Sequence, residues 1–224
     1  MGVQMAATSS EKSVLAALAV NTVLTAVKGA AFMMTGSGAM LSEAIHSFAD
    51  FMNQGLLYIG IKRADRAADK TFQYGYGRER FIWALMSAVG IFFMGCGFTI
   101  LHGIQALQHP EPMNGHSIAL GVLGLSLLLD LGVFVFAFRS LWGQKGDTPF
   151  LTFLKTEADP PEVAVLLEDG AACIGVLIAM AAIGLSVITG APSWDAIGSI
   201  LIGILLGVVA LWLIERNLKL LTGP

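Results

Sequence analysis

Apolar residues occur in six long runs separated by short polar joints. Each run reaches the roughly 20 residues that an α-helix needs to cross a bilayer. The pattern predicts an all-α membrane protein with six transmembrane helices near residues 13–35, 39–61, 81–107, 115–138, 161–189 and 193–214. The matching division of the chain is a short N-terminal segment over 1–12, a six-helix membrane domain over 13–214 and a short tail over 215–224.

Composition supports this interpretation. The chain is 55% hydrophobic and 13% charged, with a mean hydropathy of +0.73, whereas a soluble domain is roughly 45–50% apolar. The polar segment before residue 13 lacks the apolar core of a cleavable signal peptide, so the first run is expected to stay in the mature protein. No basic patch or motif indicates nucleic-acid binding.

Basic residues alternate between joints, and this predicts the orientation. The joints after runs one, three and five contain no Lys or Arg. Basic residues are retained on the cytoplasmic side of membranes. Both termini are therefore predicted to be cytoplasmic, together with the joints that hold Lys62, Arg63, Arg66, Lys70, Arg78, Arg80, Arg139, Lys145 and Lys155. Lys28 is an exception, because it lies inside the first run.

Two carboxylate-bearing segments lie within the apolar runs, at 42–50 and 166–170. An ionisable side chain at such depth costs roughly 2.5–3.5 kcal/mol on insertion and commonly marks a transport pathway. His46 and Asp50 are four residues apart, so a helix places the imidazole and the carboxylate on one face. This ligand pair suits zinc and predicts half of a metal site.

Other runs also carry polar stripes: Asn21, Thr25 and Lys28 on run one, Ser126 and Asp130 on run four, Asp195 and Ser199 on run six. Two interpretations remain open from the residues. The inward-facing groups form either a divalent-cation site or an internal hydrogen-bond network.

Several motifs resemble the cation diffusion facilitator family and, within it, the branch of zinc transporter nine. They are the string from Thr35 to Asp50, the loop Tyr74-Gly75-Tyr76-Gly77-Arg78, and Leu166-Leu167-Glu168-Asp169 followed by Gly175-Val176. The resemblance implies six spans, cytoplasmic termini, a homodimer, and export of a divalent metal, commonly zinc, from the cytosol in exchange for protons.

The resemblance also implies a ligand set. His46 and Asp50 match the family's motif on span two, and Asp169 matches the Asp on span five. Val165 occupies the position of the family's second His, so Glu168 is expected to supply a substitute carboxylate. The alternative is that Glu168 pairs with Lys28.

Asp130 on span four has three open roles: a further ligand, a proton relay or a partner for Lys28. With a single imidazole, the ligand set leaves manganese or broad divalent selectivity as an alternative to zinc.

Two departures from the family are expected to matter. Tyr76 stands where a loop metal site near Asp69 would need His, and the family's cytoplasmic C-terminal domain is expected to be missing. A homodimer is then expected to depend on membrane helices, with Gly95 and Gly203 as candidate contacts. The outer histidines are expected to be ordinary interfacial residues: His102, His109 and His116.

The sequence thus predicts a proton-coupled divalent-cation exporter of the cell (inner) membrane, without a prosthetic group. Its expected substrate is Zn²⁺, with Cd²⁺, Mn²⁺ and Co²⁺ as alternatives. An intramembrane enzyme is disfavoured because no His-Glu-x-x-His motif occurs. A non-transporting scaffold subunit is the other alternative.

Overall fold

The computed structural model describes residues 2–70, 72–109 and 115–222, with side chains from residue 11 onward. All regular structure in these ranges is helical. The helices are α1 (Gly2–Thr35), α2 (Gly38–Ala64), α3 (Glu79–Gly90), α4 (Thr99–Gln108), α5 (His116–Gln144), α6 (Phe150–Thr156), α7 (Pro160–Thr189) and α8 (Ser193–Thr222). A π-helical segment, Ile91–Phe98, joins α3 to α4 in one continuous rod.

Five of the six predicted spans correspond to helices that are long and apolar enough to cross a membrane: Glu11–Thr35, Glu79–Gln108, His116–Gln144, Pro160–Thr189 and Ser193–Thr222. By this criterion, the described residues contain five candidate membrane spans rather than the expected six. The difference is α2, which has 27 residues but carries charged side chains both in its middle and in its last turn. The protein is an all-α membrane protein in which the second long helix is the most polar.

Helix α2 lies at the centre of the bundle and packs against α1, α3, α7 and α8. Its N-terminus is capped by Ser37, whose Oγ accepts a hydrogen bond from the Met40 amide at 3.1 Å. Such a cap satisfies one of the amide groups that a helix start leaves unpaired. Gly36, with a φ of 67°, makes the sharp turn from α1 into this cap.

Helix α7 begins with a proline pair, one residue earlier than the predicted start at Pro161. Proline is favoured in the first turn because that turn needs no amide donor. Its partner is α5, and the two pack along their lengths. Helix α7 also packs against α2, so the second acidic segment lies opposite α2.

The joint between 140 and 160 contains the short helix α6, which the sequence analysis did not predict. Phe153 and Leu154 of α6 are buried, and the guanidinium of Arg216 donates hydrogen bonds to the carbonyls of Leu154 and Ala158 at 2.5 Å each. The helix therefore packs against the end of α8. Seven residues are too few for a periodic pattern to be read reliably.

The candidate dimer contacts are used within the chain instead. A Cβ on Gly203 would lie 2.6 Å from Ile100 Cγ1 and 3.1 Å from the Ile100 amide nitrogen, and one on Gly95 would lie 3.2 Å from Leu206 Cδ1. Small residues allow helix backbones to approach closely. Here they join α8 to the π-helical segment and α4, so they are not available to a second copy.

We expect Gly203→Ala to lower the free energy of unfolding by about 1–3 kcal/mol, because the methyl group overpacks the contact with Ile100. Denaturant titration of the purified protein in detergent micelles measures this change. The matched control is Gly121→Ala on α5, where an added Cβ has no atom within 4 Å. Equal stability of the two variants would contradict a close contact at Gly203.

Candidate metal site between helices α2 and α7

The polar stripe of α2 faces the interior of the bundle. Glu43, His46, Asp50, Asn53 and Gln54 are all at least 97% buried. Apolar side chains occupy the exposed side of the same helix, among them Phe48, Met52 and Ile59. The three-to-four-residue spacing produces this segregation, because such residues share one helical face.

His46 and Asp50 form the closest pair of candidate ligands. Nδ1 of His46 lies 3.4 Å from Oδ2 of Asp50, one turn further along the helix. Both side chains are 1% exposed, yet neither imidazole nitrogen and neither carboxylate oxygen has a hydrogen-bond partner. Buried polar atoms nearly always have a hydrogen-bond partner. Four unpaired nitrogen and oxygen atoms on one helical turn therefore indicate a place for an ion or for protons.

Helix α7 presents the second pair of carboxylates. Glu168 and Asp169 are each 1% exposed; Oδ2 of Asp169 lacks a hydrogen-bond partner, and Glu168 lies beside the side-chain amide of Gln54. Both groups interact electrostatically with Asp50. The fold therefore brings together the two acidic segments, which are more than 100 residues apart in sequence.

Val165 lies one turn before this pair and is fully buried in the apolar core. It presents no donor atom at the position where the family motif has its second imidazole. Among the residues that the structure describes, His46 is therefore the only imidazole in the α2–α7 cluster.

Asp130 approaches from α5 and interacts electrostatically with Asp50 and Asp169. Its Oδ2 lies 3.9 Å from Nζ of Lys28. Of the roles left open by the sequence, the structure shows the ion pair with Lys28. Asp130 also stays within electrostatic range of the α2–α7 carboxylates.

Lys28 is fully buried and contacts two carboxylates. Its Nζ donates a hydrogen bond to Oε2 of Glu43 at 2.9 Å, shorter than its distance to Asp130. Glu168 is not an ion-pair partner of Lys28 in the described conformation, contrary to the alternative left open above. We call Lys28, Glu43 and Asp130 the lysine triad.

The sequence analysis did not identify Glu43 as the partner of Lys28. The sequence did offer a clue to this pair. Both residues are charged and lie inside apolar runs, on either side of the turn between α1 and α2. Helix packing makes room for Glu43: a Cβ on Gly175 of α7 would stand 2.8 Å from its Oε1. A larger residue there would displace the carboxylate.

The candidate donors are close together but do not form a coordination sphere. Within the described ranges, no group of three or more His, Cys, Asp and Glu side chains is arranged to hold a metal ion. Donors must approach to about 2.0–2.2 Å from zinc. Binding therefore requires the facing helices to draw their side chains together.

In the loop between α2 and α3, the carboxylate of Asp69 is hydrogen-bonded to residues of the same loop. Asp69 accepts hydrogen bonds from the Tyr76 hydroxyl at 2.6 Å and from the Phe72 amide at 2.8 Å. The bond to Asp69 raises the pKa of the Tyr76 phenol, because it stabilises the protonated form. Tyr76, which occupies the position of the expected His, thus stabilises the loop through its hydrogen bond to Asp69.

Comparison with known proteins decides the family. The model of the cation efflux transmembrane domain matches residues 14–222. The chain belongs to the cation efflux family. The resemblance inferred from the motifs of α2 and α7 is confirmed.

Three relatives illustrate the similarity. The mouse proton-coupled zinc antiporter SLC30A9, mitochondrial, is 41% identical over 214 residues, which cover 95% of this chain and 38% of the relative. Its human counterpart is 38% identical with the same coverage, and metal tolerance protein C4 of Arabidopsis thaliana is 40% identical over 96% of this chain and 47% of that protein. The chain spans less than half the length of these relatives.

We expect Lys28→Met to lower the free energy of unfolding by about 3–5 kcal/mol, because it leaves the carboxylates of the triad buried without a cation. Adding Glu43→Gln should restore part of the loss. Denaturant titration in detergent micelles measures both.

The control is Lys62→Met, which removes a half-exposed lysine that pairs with Glu11 and should leave stability close to that of the parent. A double variant whose loss equals the sum of the two single losses would show that Lys28 and Glu43 are not coupled.

Proposed function

We propose that this protein moves a divalent metal cation, with zinc as the main substrate, across a membrane in exchange for protons. The observation that supports it is the cluster of buried, unpaired donor atoms on α2 and α7. Relatives that share about 40% identity carry the name proton-coupled zinc antiporter. The membership of the family points in the same direction.

The proposed ligands are His46, Asp50, Glu168 and Asp169, with Asp130 as a further contributor from α5. Three of the first four are carboxylates, and carboxylates buried together repel one another unless positive charge is added. A divalent cation supplies this charge in one state. Protons supply it in the other, so the two kinds of occupancy exclude each other and antiport follows.

The lysine triad places one positive charge, that of Lys28, next to the site. Lys28 neutralises part of the charge of Glu43 and Asp130, which leaves the α2–α7 donors as the group in need of a cation. It also links α1, α2 and α5, because its two partners lie on different helices. Movement of α7 relative to this linked group would close or open the site.

One imidazole with several carboxylates suits zinc but also accepts harder ions. Manganese or broad divalent selectivity is therefore the competing outcome. Flux into proteoliposomes with zinc in competition against cadmium, manganese and cobalt ranks the substrates directly. Metal-dependent flux also excludes the two other classes considered from the sequence, an intramembrane enzyme and a non-transporting scaffold.

We further propose that α2 is the sixth membrane span and that both termini are cytoplasmic. The polar face of α2 is covered by protein, and its exposed side chains are largely apolar. A charged face needs no contact with lipid in that arrangement. Labelling of single cysteines introduced in the joints tests the topology.

A homodimer through membrane helices and a location in the cell (inner) membrane complete the proposal. Since Gly95 and Gly203 are occupied within the chain, the dimer contact must use other surfaces. Light scattering of the micelle-embedded protein measures the oligomeric state. Membrane fractionation distinguishes the cell membrane from the mitochondrial location named for the relatives.

Asp50→Asn should reduce zinc flux into proteoliposomes by more than about tenfold, because the amide keeps the shape but removes a charged ligand. The matched control is Asp147→Asn in the exposed joint before α6, which should transport like the parent. Parental flux in a folded Asp50→Asn variant would contradict the proposed site.

Glu168→Gln should weaken zinc binding by about tenfold or more if the carboxylate is a ligand. Val165→His in the Glu168→Gln background should recover part of the affinity, because it adds the second imidazole one turn from Asp169. Isothermal titration calorimetry of the two variants measures both effects. Normal binding by Glu168→Gln would show that Asp130 or water completes the site.

A further inference from the structure

A cavity of about 530 Å³ opens at the end of the bundle opposite the basic joints. It lies where α1 joins α2 and where α7 joins α8, beside the last turns of α4. Its polar lining comes from His102, Gln105, Gln108, His109 and Asp195. By the distribution of Lys and Arg, this end is the outer one.

Three donor atoms converge beside Gly38 at the inner end of this cavity. The point where a Cβ of Gly38 would stand is 3.2 Å from Oδ2 of Asp195, 3.3 Å from Nε2 of His102 and 3.6 Å from Oγ of Ser199. The three donors come from two helices, α4 and α8. Because Gly38 has no side chain, the three atoms lie close to the backbone of α2, and a methyl group at this position would contact all of them.

Nε2 of His102 is buried and has no hydrogen-bond partner. A buried ring nitrogen without a partner is uncommon in proteins and calls for a ligand. The His102 side chain lines the cavity at the outer end of the bundle.

Asp195 is held in position by α2. It is 8% exposed, its Oδ1 accepts a hydrogen bond from the Ser37 hydroxyl at 2.9 Å, and its Oδ2 accepts one from the Ala39 amide at 3.2 Å. A carboxylate offers about four lone-pair sites. Two bonds therefore orient the group and leave capacity for a cation.

We propose that His102, Asp195 and Ser199 form an outer divalent-cation subsite, distinct from the site between α2 and α7. Gly38 and His46 are eight residues apart on α2, so about 12 Å separates the two levels along the helix. One imidazole, one carboxylate and one hydroxyl form a weaker ligand set than the inner cluster. Weak binding suits a position from which metal is released.

The role in release rests on the proposed function, whereas cation binding does not. Asp195 would also cap α2 without any metal, and in that case His102 would be irrelevant to binding. Removal of the imidazole therefore separates a cation subsite from a purely structural cap.

Equilibrium dialysis with Zn²⁺ alone tests the subsite in the full chain in detergent micelles. In the Asp50→Asn background, which weakens the inner site, we expect weak zinc binding to remain. Adding His102→Ala should reduce the remaining affinity by about tenfold or more. The matched control is His116→Ala, an imidazole at the same end of the bundle that does not line the cavity.

A second pair of variants does not remove a ligand. Gly38→Ala places a methyl group among the three donors and should also weaken binding in the Asp50→Asn background. Gly55→Ala lies on the same helix with no atom within 4 Å of its Cβ and should have no effect. Unfolding midpoints confirm that all variants are folded.

The subsite is refuted if Asp50→Asn binds no zinc, or if its binding is unchanged by both His102→Ala and Gly38→Ala. Either result leaves the proposed transport function intact. Parental flux in Asp50→Asn would instead overturn the α2–α7 site and leave the outer subsite untouched. In that case, the outer subsite is tested by whether His102→Ala lowers zinc affinity in the parent protein.

Discussion

The structure depends on how negative charge is neutralised inside a bundle that excludes water. Lys28 contacts Glu43 at 2.9 Å and Asp130 at 3.9 Å, and all three side chains are at least 99% buried. An isolated charge in such surroundings is costly, whereas a charge with opposite partners is tolerated. This ion triad makes a polar α2 compatible with the centre of a membrane protein.

The same constraint explains why the neighbouring donors have no partners. Lys28 is engaged by Glu43 and Asp130, so its charge does not extend to Asp50, Glu168 and Asp169 as a direct ion pair. Both oxygens of Asp50, both ring nitrogens of His46 and Oδ2 of Asp169 remain buried without a hydrogen-bond partner. In the proposed function, such a site accepts either a metal ion or protons.

Close packing of helices fixes where the charged groups meet. Gly203 and Gly95 allow α8 to approach the rod formed by α3, the π-helical segment and α4, and Gly175 leaves space for Glu43. The same close approach at Gly38 brings His102 and Asp195 together at the outer end. At Gly175 and Gly38 the missing methyl group makes room for polar side chains, whereas at Gly95 and Gly203 it permits apolar contacts between helices.

The sequence by itself determined the membrane class, five of the spans and the inward stripe of α2, because apolar length and helical periodicity are local properties. It also predicts His46 and Asp50 as metal ligands from their depth and spacing, and Glu168 and Asp169 from the family resemblance; these roles stay predictions. Only the tertiary structure decided that Lys28 pairs with Glu43, that Gly203 packs within the chain, and that His102 lies beside Asp195. These facts depend on contacts between residues 15 to more than 100 positions apart, and no local pattern encodes which helices become neighbours.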